Sequence, residues 1–167
     1  MFTEYEYLEK LRDFLLTYHY PAPYDDLAID YGKIMEQRGA DKDSRGAALV
    51  NAGDIITSTD TDILGGVILN KRINYSLIMW RDTDDNEFRL EISNFINRFI
   101  NWINEQNALR NTPIKNPALP VFSNTDELEE TISADGGIQT AQIDKTRSEF
   151  SIGIHIDYKI EHIKESF

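Results

Sequence analysis

Cysteine is absent from this 167-residue sequence, which excludes disulfide bonds, cysteine-ligated zinc and thiol catalysis. Basic residues are scarce, since 17 lysines and arginines stand against 29 aspartates and glutamates, and the net charge is −12. This balance argues against binding nucleic acid through its phosphates, which requires clustered cations. It would also repel an anionic membrane, and it favours solubility. We therefore expect neither specific nucleic-acid binding nor a membrane partner.

Long apolar runs are missing as well, because no stretch approaches the roughly 20 residues that span a bilayer. The composition, 41% hydrophobic and 28% charged, is that of an ordinary globular protein. With this length and no internal repeat, we expect a single domain over residues 1–167. Residues 36–46 consist mainly of charged, glycine and small residues, which predicts a mobile surface loop there.

Motifs that carry enzymatic chemistry are also missing. The three histidines, His19, His155 and His162, do not have the spacing of a metal site. The sequence contains neither a Gly-x-Ser-x-Gly nucleophile elbow nor a phosphate-binding glycine loop. Gly136-Gly137 follows Asp135 and predicts a turn, because no helix pattern comes after it. We therefore predict no enzymatic activity, no catalytic residue and no cofactor.

Two segments show the apolar spacing of amphipathic helices, residues 2–18 and residues 86–107. After the second helix, Pro113, Pro117 and Pro120 predict an extended connection. The sequence predicts strands in five places: residues 27–31, 54–58, a long strand from 67, 138–143 and 150–160, the last of which alternates perfectly between apolar and polar residues. This order predicts an α+β domain in which two main helices pack on one face of a mainly antiparallel sheet.

Crowded carboxylates lie between the long strand and the second helix, at Asp82, Asp84 and Asp85. Such a group can hold a divalent cation, although residues 87 and 93 are not the glycine and glutamate of an EF-hand loop. Capping of the helix by Asp84 or Asp85 explains the same residues and is the favoured interpretation. We keep the three aspartates as a weak candidate for a divalent-cation site.

Several polar or aromatic residues are expected at the surface. Asp60 and Asp62 lie in a predicted acidic turn at residues 58–62, and His155 and Asp157 lie on the polar face of the last strand. Trp102 is at the edge of a helical stripe, where it is either core or a contact for a neighbouring molecule. Nine positions are candidates for an interface: Asp60, Asp62, Asp82, Trp102, Pro113, Pro117, Pro120, His155 and Asp157.

Four short stretches of the C-terminal half occur in a recognisable order. They are WINEQ at residues 102–106, Leu119-Pro120, ISADGG at residues 132–137 and FSIGIHIDY at residues 150–158. In combination they resemble the tail terminator proteins of tailed phages and of phage-derived contractile particles, which are often called minor capsid proteins. The order of the elements also fits, and the similarity covers roughly residues 92–160.

The resemblance implies a tail-terminator-like α+β subunit that forms a sixfold ring at the head-proximal end of a tail. Such a ring ends polymerisation of the tail tube and sheath, and it joins the tail to a connector or a cap. The partners would be other copies of the chain, the tube and sheath proteins and a neck protein, with DNA passing through the ring. The subunit would assemble in the bacterial host's cytoplasm and then belong to the virion or tail particle.

Other functions stay open at this point. A head-completion or neck protein of the same particle would differ only in the partner that it meets. An infectious phage and a bacteriocin-like tail would both use such a subunit. A small ligand-binding or enzymatic α+β domain is a further alternative, because helix-on-sheet folds host many functions.

Overall fold

The protein is represented by a computed structural model that describes residues 4–18, 29–31, 47–82, 86–124, 129–142 and 147–162. Within these ranges it has two helices and five strands, which are α1 (Glu4–Leu15), β1 (Ile29–Tyr31), β2 (Ala47–Thr61), β3 (Val67–Asp82), α2 (Asn86–Leu109), β4 (Thr131–Gln142) and β5 (Arg147–His162). The predicted α+β fold, with helices on a mainly antiparallel sheet, is confirmed. No helix in the described ranges is long and apolar enough to cross a bilayer.

The sheet has the strand order β1-β2-β3-β5-β4. Only the short pairing of β1 with β2 is parallel, and the other three pairings are antiparallel. β3 and β5 pair over their whole lengths, from Val67 opposite His162 to Asp82 opposite Arg147. Because both strands alternate apolar and polar residues, they present one apolar face, and that face carries the core.

Both helices bury their apolar stripes against this face. Leu11, Phe14 and Leu15 of α1 are fully buried, and so is Phe99 of α2. Trp102 stacks on Phe14 with ring centroids 5.0 Å apart, so its ring belongs to the contact between the two helices. The helical spacing in the sequence therefore predicted correctly which residues would form the core.

β2 is much longer than the strand predicted at residues 54–58. Its first three residues are buried, whereas every residue from Ala52 to Thr61 is exposed. A strand with solvent on both faces has no reason to alternate apolar and polar residues, so its sequence gives no period-two signal. An acidic turn was predicted at residues 58–62. The prediction is wrong for Asp60, which lies in β2, and is confirmed for Asp62, which lies in the turn after β2.

The prediction of a turn at Gly136-Gly137 was wrong, because both glycines lie inside β4. The strand has a bulge between Gly136 and Ile138, and the two glycines adopt φ angles of +87° and +77°. A Cβ atom on Gly137 would collide with Cγ2 of Ile96 in α2. The glycines therefore serve a bulge and the close approach of a helix.

The segment after α2 is not extended as its prolines predicted. It forms successive turns, in which the N–H groups of Thr112, Lys115 and Leu119 donate to the carbonyl oxygens of Leu109, Thr112 and Asn116. The Oδ1 atom of Asn116 also accepts from the N–H of Ala118 at 2.9 Å. An asparagine before a proline favours such a turn, and this local chemistry overrides the extended tendency of the prolines.

Two predictions fall where the structure gives no description. The loop at residues 36–46 lies outside the described residues, and so do Asp84 and Asp85. Asp82 ends β3, but its side chain is also outside the described set. The mobile loop, the cation site and the helix cap therefore stay predictions.

Candidate functional site

The asparagines of α2 cover part of the outer edge of β4, at Ile132 and Ala134. The N–H of Ala134 donates to Oδ1 of Asn104 at 3.0 Å, and Nδ2 of Asn104 donates back to the carbonyl oxygen of Ala134 at 3.3 Å. The N–H of Ile132 donates to Oδ1 of Asn107 at 3.3 Å. Two side chains of a helix thus satisfy backbone groups that a neighbouring strand would otherwise bind.

A buried carboxylate lies at this end of the fold. Oε2 of Glu130 accepts from the N–H groups of Phe122 and Ser123, both at 2.8 Å, and its Oε1 lies 3.7 Å from Nη1 of Arg110. The Glu130 side chain is only 3% exposed. Burial raises the pKa of Glu130 although these donors oppose the rise, and burial lowers the pKa of Arg110. The pair ties the turns after α2 to the start of β4.

The opposite edge of the sheet, at β2, is open over most of its length. β1 covers only Ala47, Ala48 and Leu49, and no other described strand pairs with the outer edge of residues 52–61. In this stretch Ile55 and Ile56 are 51% and 58% exposed. Unpaired strand edges with exposed apolar residues are templates for another chain.

The hairpin that joins β2 to β3 presents two further apolar side chains at its tip. Ile63 is fully exposed and Leu64 is 87% exposed. The turn itself is well fixed, because Oδ1 of Asp62 accepts from the N–H groups of Leu64 and Gly66, both at 2.8 Å. An ordered turn that holds two large apolar side chains in solvent is a candidate contact site for another molecule.

The same hairpin is uniformly acidic in its formal charges. Residues 52–66 contain Asp54, Asp60 and Asp62 and no lysine or arginine. Asp54 is paired with Lys71 of β3 at 3.2 Å, and Asp60 accepts from Nδ2 of Asn70 at 2.8 Å. We call residues 52–66 the acidic arm. It combines an unpaired edge, apolar side chains and negative charge.

The polar face of the sheet carries two cross-strand clusters. Nε and Nη2 of Arg72 donate to the two carboxylate oxygens of Asp157 at 2.7 and 3.0 Å, and the hydrogen bond lowers the pKa of Asp157. His155 lies between Asn74, 2.6 Å from its Nδ1, and Asp135, 3.1 Å from its Nε2. The structure thus brings the predicted polar-face residues His155 and Asp157 into ladders that connect neighbouring strands.

A groove of about 430 Å³ lies over the first of these clusters, and Arg72, Asp157, Thr131 and Lys159 are among its lining residues. A ligand-binding function would use this groove. Two of its charged residues, Arg72 and Asp157, already form a bidentate pair with each other, and each of those side chains is more than one-third exposed. Such a pair stabilises the strand contact by about 0–1 kcal/mol, and its two charges are already used within the chain.

The remaining sequence-predicted positions lie in three different places. Asp60 and Asp62 belong to the acidic arm, whereas Trp102 is packed against the core. Pro113 and Pro117 are exposed, and Pro120 is buried. The described residues contain no group of three or more His, Asp or Glu side chains placed to hold a metal ion.

Sequence reasoning missed the four exposed apolar residues of the arm, Ile55, Ile56, Ile63 and Leu64. Their signal is present in the sequence, because two apolar pairs interrupt a run of aspartates, threonines and serines without any helical or strand period. Apolar residues outside such periods belong to no single buried face. They are therefore candidates for contact with another molecule.

No family model matches the sequence, and a search of curated proteins gives no significant match.

Proposed function

We propose that this protein is a structural subunit that assembles with copies of itself into a ring at the head-proximal end of a phage or phage-like tail. The difference between the two sheet edges carries the proposal. β4 is closed by Asn104 and Asn107 within the same chain, whereas residues 52–61 of β2 have an outer edge to which no described strand is bound. A second chain that supplies hydrogen-bonding and apolar groups would complete that edge.

The charges of the edge favour a head-to-tail contact over a twofold one. An antiparallel pairing of two β2 edges centred on Thr57 would place Asp54 of one copy opposite Asp60 of the other. Like charges directly opposite each other destabilise a strand pair, and Lys71, which pairs with Asp54 in the same chain, offsets only part of that repulsion. The edge is therefore better matched by a different surface of the neighbour. Contacts of this heterologous kind close into rings when the rotation permits.

The resemblance of residues 92–160 to tail terminators supplies the number of subunits and the place of the ring. A sixfold ring on the tail end would stop growth of the tube and sheath and would meet a connector or a cap. Its acidic surface would let DNA pass without binding the phosphates. The subunit would assemble in the host cytoplasm and remain in the particle.

The oligomeric state and the position in the particle test this proposal. We expect light scattering at high protein concentration to give six times the mass of the chain, and electron microscopy of labelled tails to place the ring at the head-proximal end. Ile56→Lys should abolish the ring because it puts a charge on the open edge. Asn97→Lys, on the exposed face of α2, should leave the ring intact.

Two results would contradict the proposal. A wild-type chain that stays monomeric at high concentration and is absent from tail ends would exclude both the ring and its place. A ring found only on the capsid side of the neck would favour the head-completion function instead.

A further inference from the structure

We propose that the tip of the acidic arm of one copy docks into a groove between α1 and residues 117–121 of the next copy. The inference rests on the proposed ring and specifies the contact that builds it. Ile63 and Leu64 are the inserted side chains, and the groove belongs to a second copy of this chain.

The groove has the size and lining that two apolar side chains require. It has a volume of about 360 Å³, and Lys10 and Asp13 of α1 line one side while Leu119, Pro120 and Val121 line the other. Val121 is 46% exposed although it is apolar. Contact with Ile63 and Leu64 would remove apolar surface on both sides from water, at roughly 25 cal/mol per Å².

The charges of the two surfaces are opposite in sign. The acidic arm carries three aspartates and no base, whereas residues 110–124 contain Arg110 and Lys115 and no acid. Arg110 is occupied with Glu130, and Lys10 and Asp13, which both line the groove, carry opposite charges, so the net positive charge of this side comes from Lys115. In a chain with a net charge of −12, most surfaces of two copies repel each other, and this combination does not.

Both surfaces are held in shape before they meet. Asp62 fixes the tip through its two hydrogen bonds to backbone N–H groups. The other side is fixed by Asn116, whose Nδ2 donates to Oγ1 of Thr17 at 2.7 Å and thereby connects the proline-containing turns to the end of α1. Association of two preformed surfaces avoids most of the ordering cost of binding.

The arm and the groove are different parts of the chain, so their contact is heterologous. Each copy would use its tip toward one neighbour and its groove toward the other, which is the arrangement of a closed ring. A tip-to-tip contact would instead give a twofold dimer and would bring Asp60 and Asp62 of two copies together.

Single cysteines test the contact directly, because the natural sequence contains none. Leu64→Cys and Val121→Cys are purified separately as reduced proteins, mixed, and treated with a short bismaleimide. We expect a covalent dimer in the mixture and little product when either variant is treated alone. A mixture of Leu64→Cys with Asn97→Cys, an exposed position on α2, controls for random collisions.

A second variant tests the same contact without cross-linking. Ile63→Ser combined with Leu64→Ser should weaken self-association at least about tenfold, as expected for loss of a central apolar contact. The melting temperature should hardly change, because both side chains are in solvent in the single chain.

The outcomes separate this inference from the proposed ring. Rings of wild-type protein that give no cross-link in the mixture, or that persist in the double serine variant, would overturn the tip-in-groove contact alone. Efficient cross-linking of Leu64→Cys with itself would also overturn it, in favour of a twofold contact. A wild-type chain that is monomeric at every concentration would overturn both.

Discussion

The two edges of the sheet differ in how the outward-facing backbone groups of the edge strand are covered. At β4 the helix α2 runs close enough for Asn104 and Asn107 to bind backbone groups, and Gly137 has no side chain to hold the helix away. At β2 the strand continues past its buried first residues into the acidic arm, where every residue is exposed. An unpaired edge favours a cover, and here part of one cover is intramolecular, whereas we propose that a second molecule covers the other edge.

The difference distinguishes a part of the molecule with intramolecular partners from a part that we propose as a contact surface. The β4 side contains the buried Glu130 and the backbone groups that Asn104 and Asn107 bind, and loss of such partners costs stability. The open arm contains exposed apolar and acidic residues whose replacement changes little within one chain. Substitutions at the two edges should therefore separate folding from assembly.

The largest effect is expected from Ile154→Asp. Ile154 is fully buried on the interior strand β5, between Tyr75 and Ala134, and an unpaired charge there should reduce the free energy of unfolding by more than about 4 kcal/mol. The same change at the open edge, Ile55→Asp, should cost no more than about 0.5 kcal/mol. Circular-dichroism melts of both variants measure the difference. Equal losses would mean that the arm is packed in solution.

The next largest difference is expected when one glycine at each edge is replaced by alanine. Gly137→Ala combines a positive φ angle with a collision against Ile96, so we expect a loss of about 3 kcal/mol. Gly53→Ala in β2 also has a positive φ angle of +126°, but open space surrounds it, and we expect a loss of about 1 kcal/mol. Urea unfolding of the two variants gives both values, and the comparison fails if Gly53→Ala is the more harmful change.

Removal of one asparagine should open the closed edge. Asn104→Ala leaves the N–H and the carbonyl oxygen of Ala134 without this partner, which should cost about 1 kcal/mol, because water can reach these part-buried groups. Asn97→Ala on the exposed face of the same helix is the control and should stay within about 0.5 kcal/mol. Hydrogen exchange at the Ala134 amide should accelerate only in the first variant. An unchanged exchange rate would show that Asn104 does not protect the edge.

The smallest effect concerns the pH dependence of the closed side. Because burial raises the pKa of Glu130 above its ordinary value of 4.5, the folded state holds this proton more tightly than the unfolded state. The resulting stability is fully present below 4.5 and is lost as the pH rises through the raised pKa. The free energy of unfolding of Glu130→Gln relative to wild type should therefore increase between pH 4.5 and pH 7, as measured by urea unfolding at each pH. Exposed Glu129→Gln should follow wild type, and a parallel course of all three would exclude the effect.

The sequence predicted the buried faces of the helices and of β5 better than the exposed part of β2. The stripes of α1 and α2 and the alternation of β5 were correct because burial imposes a period on them. The length of β2 and the exposed isoleucines were missed because no burial imposes a period there. The turns after α2 and the bulge at Gly136-Gly137 were assigned wrongly, since prolines and paired glycines fit several local structures.

What the sequence determined by itself is the α+β class, the core faces and the acidic, cysteine-free character, all of which follow from composition and periodicity. Only the tertiary structure decided that Asn104 faces the β4 edge, that Glu130 is buried, and that the tip of the acidic arm stands in solvent. Those properties depend on which elements lie side by side. Contacts between residues distant in the chain leave no period in a single sequence. The sequence therefore does not show which edge strand is covered by a helix.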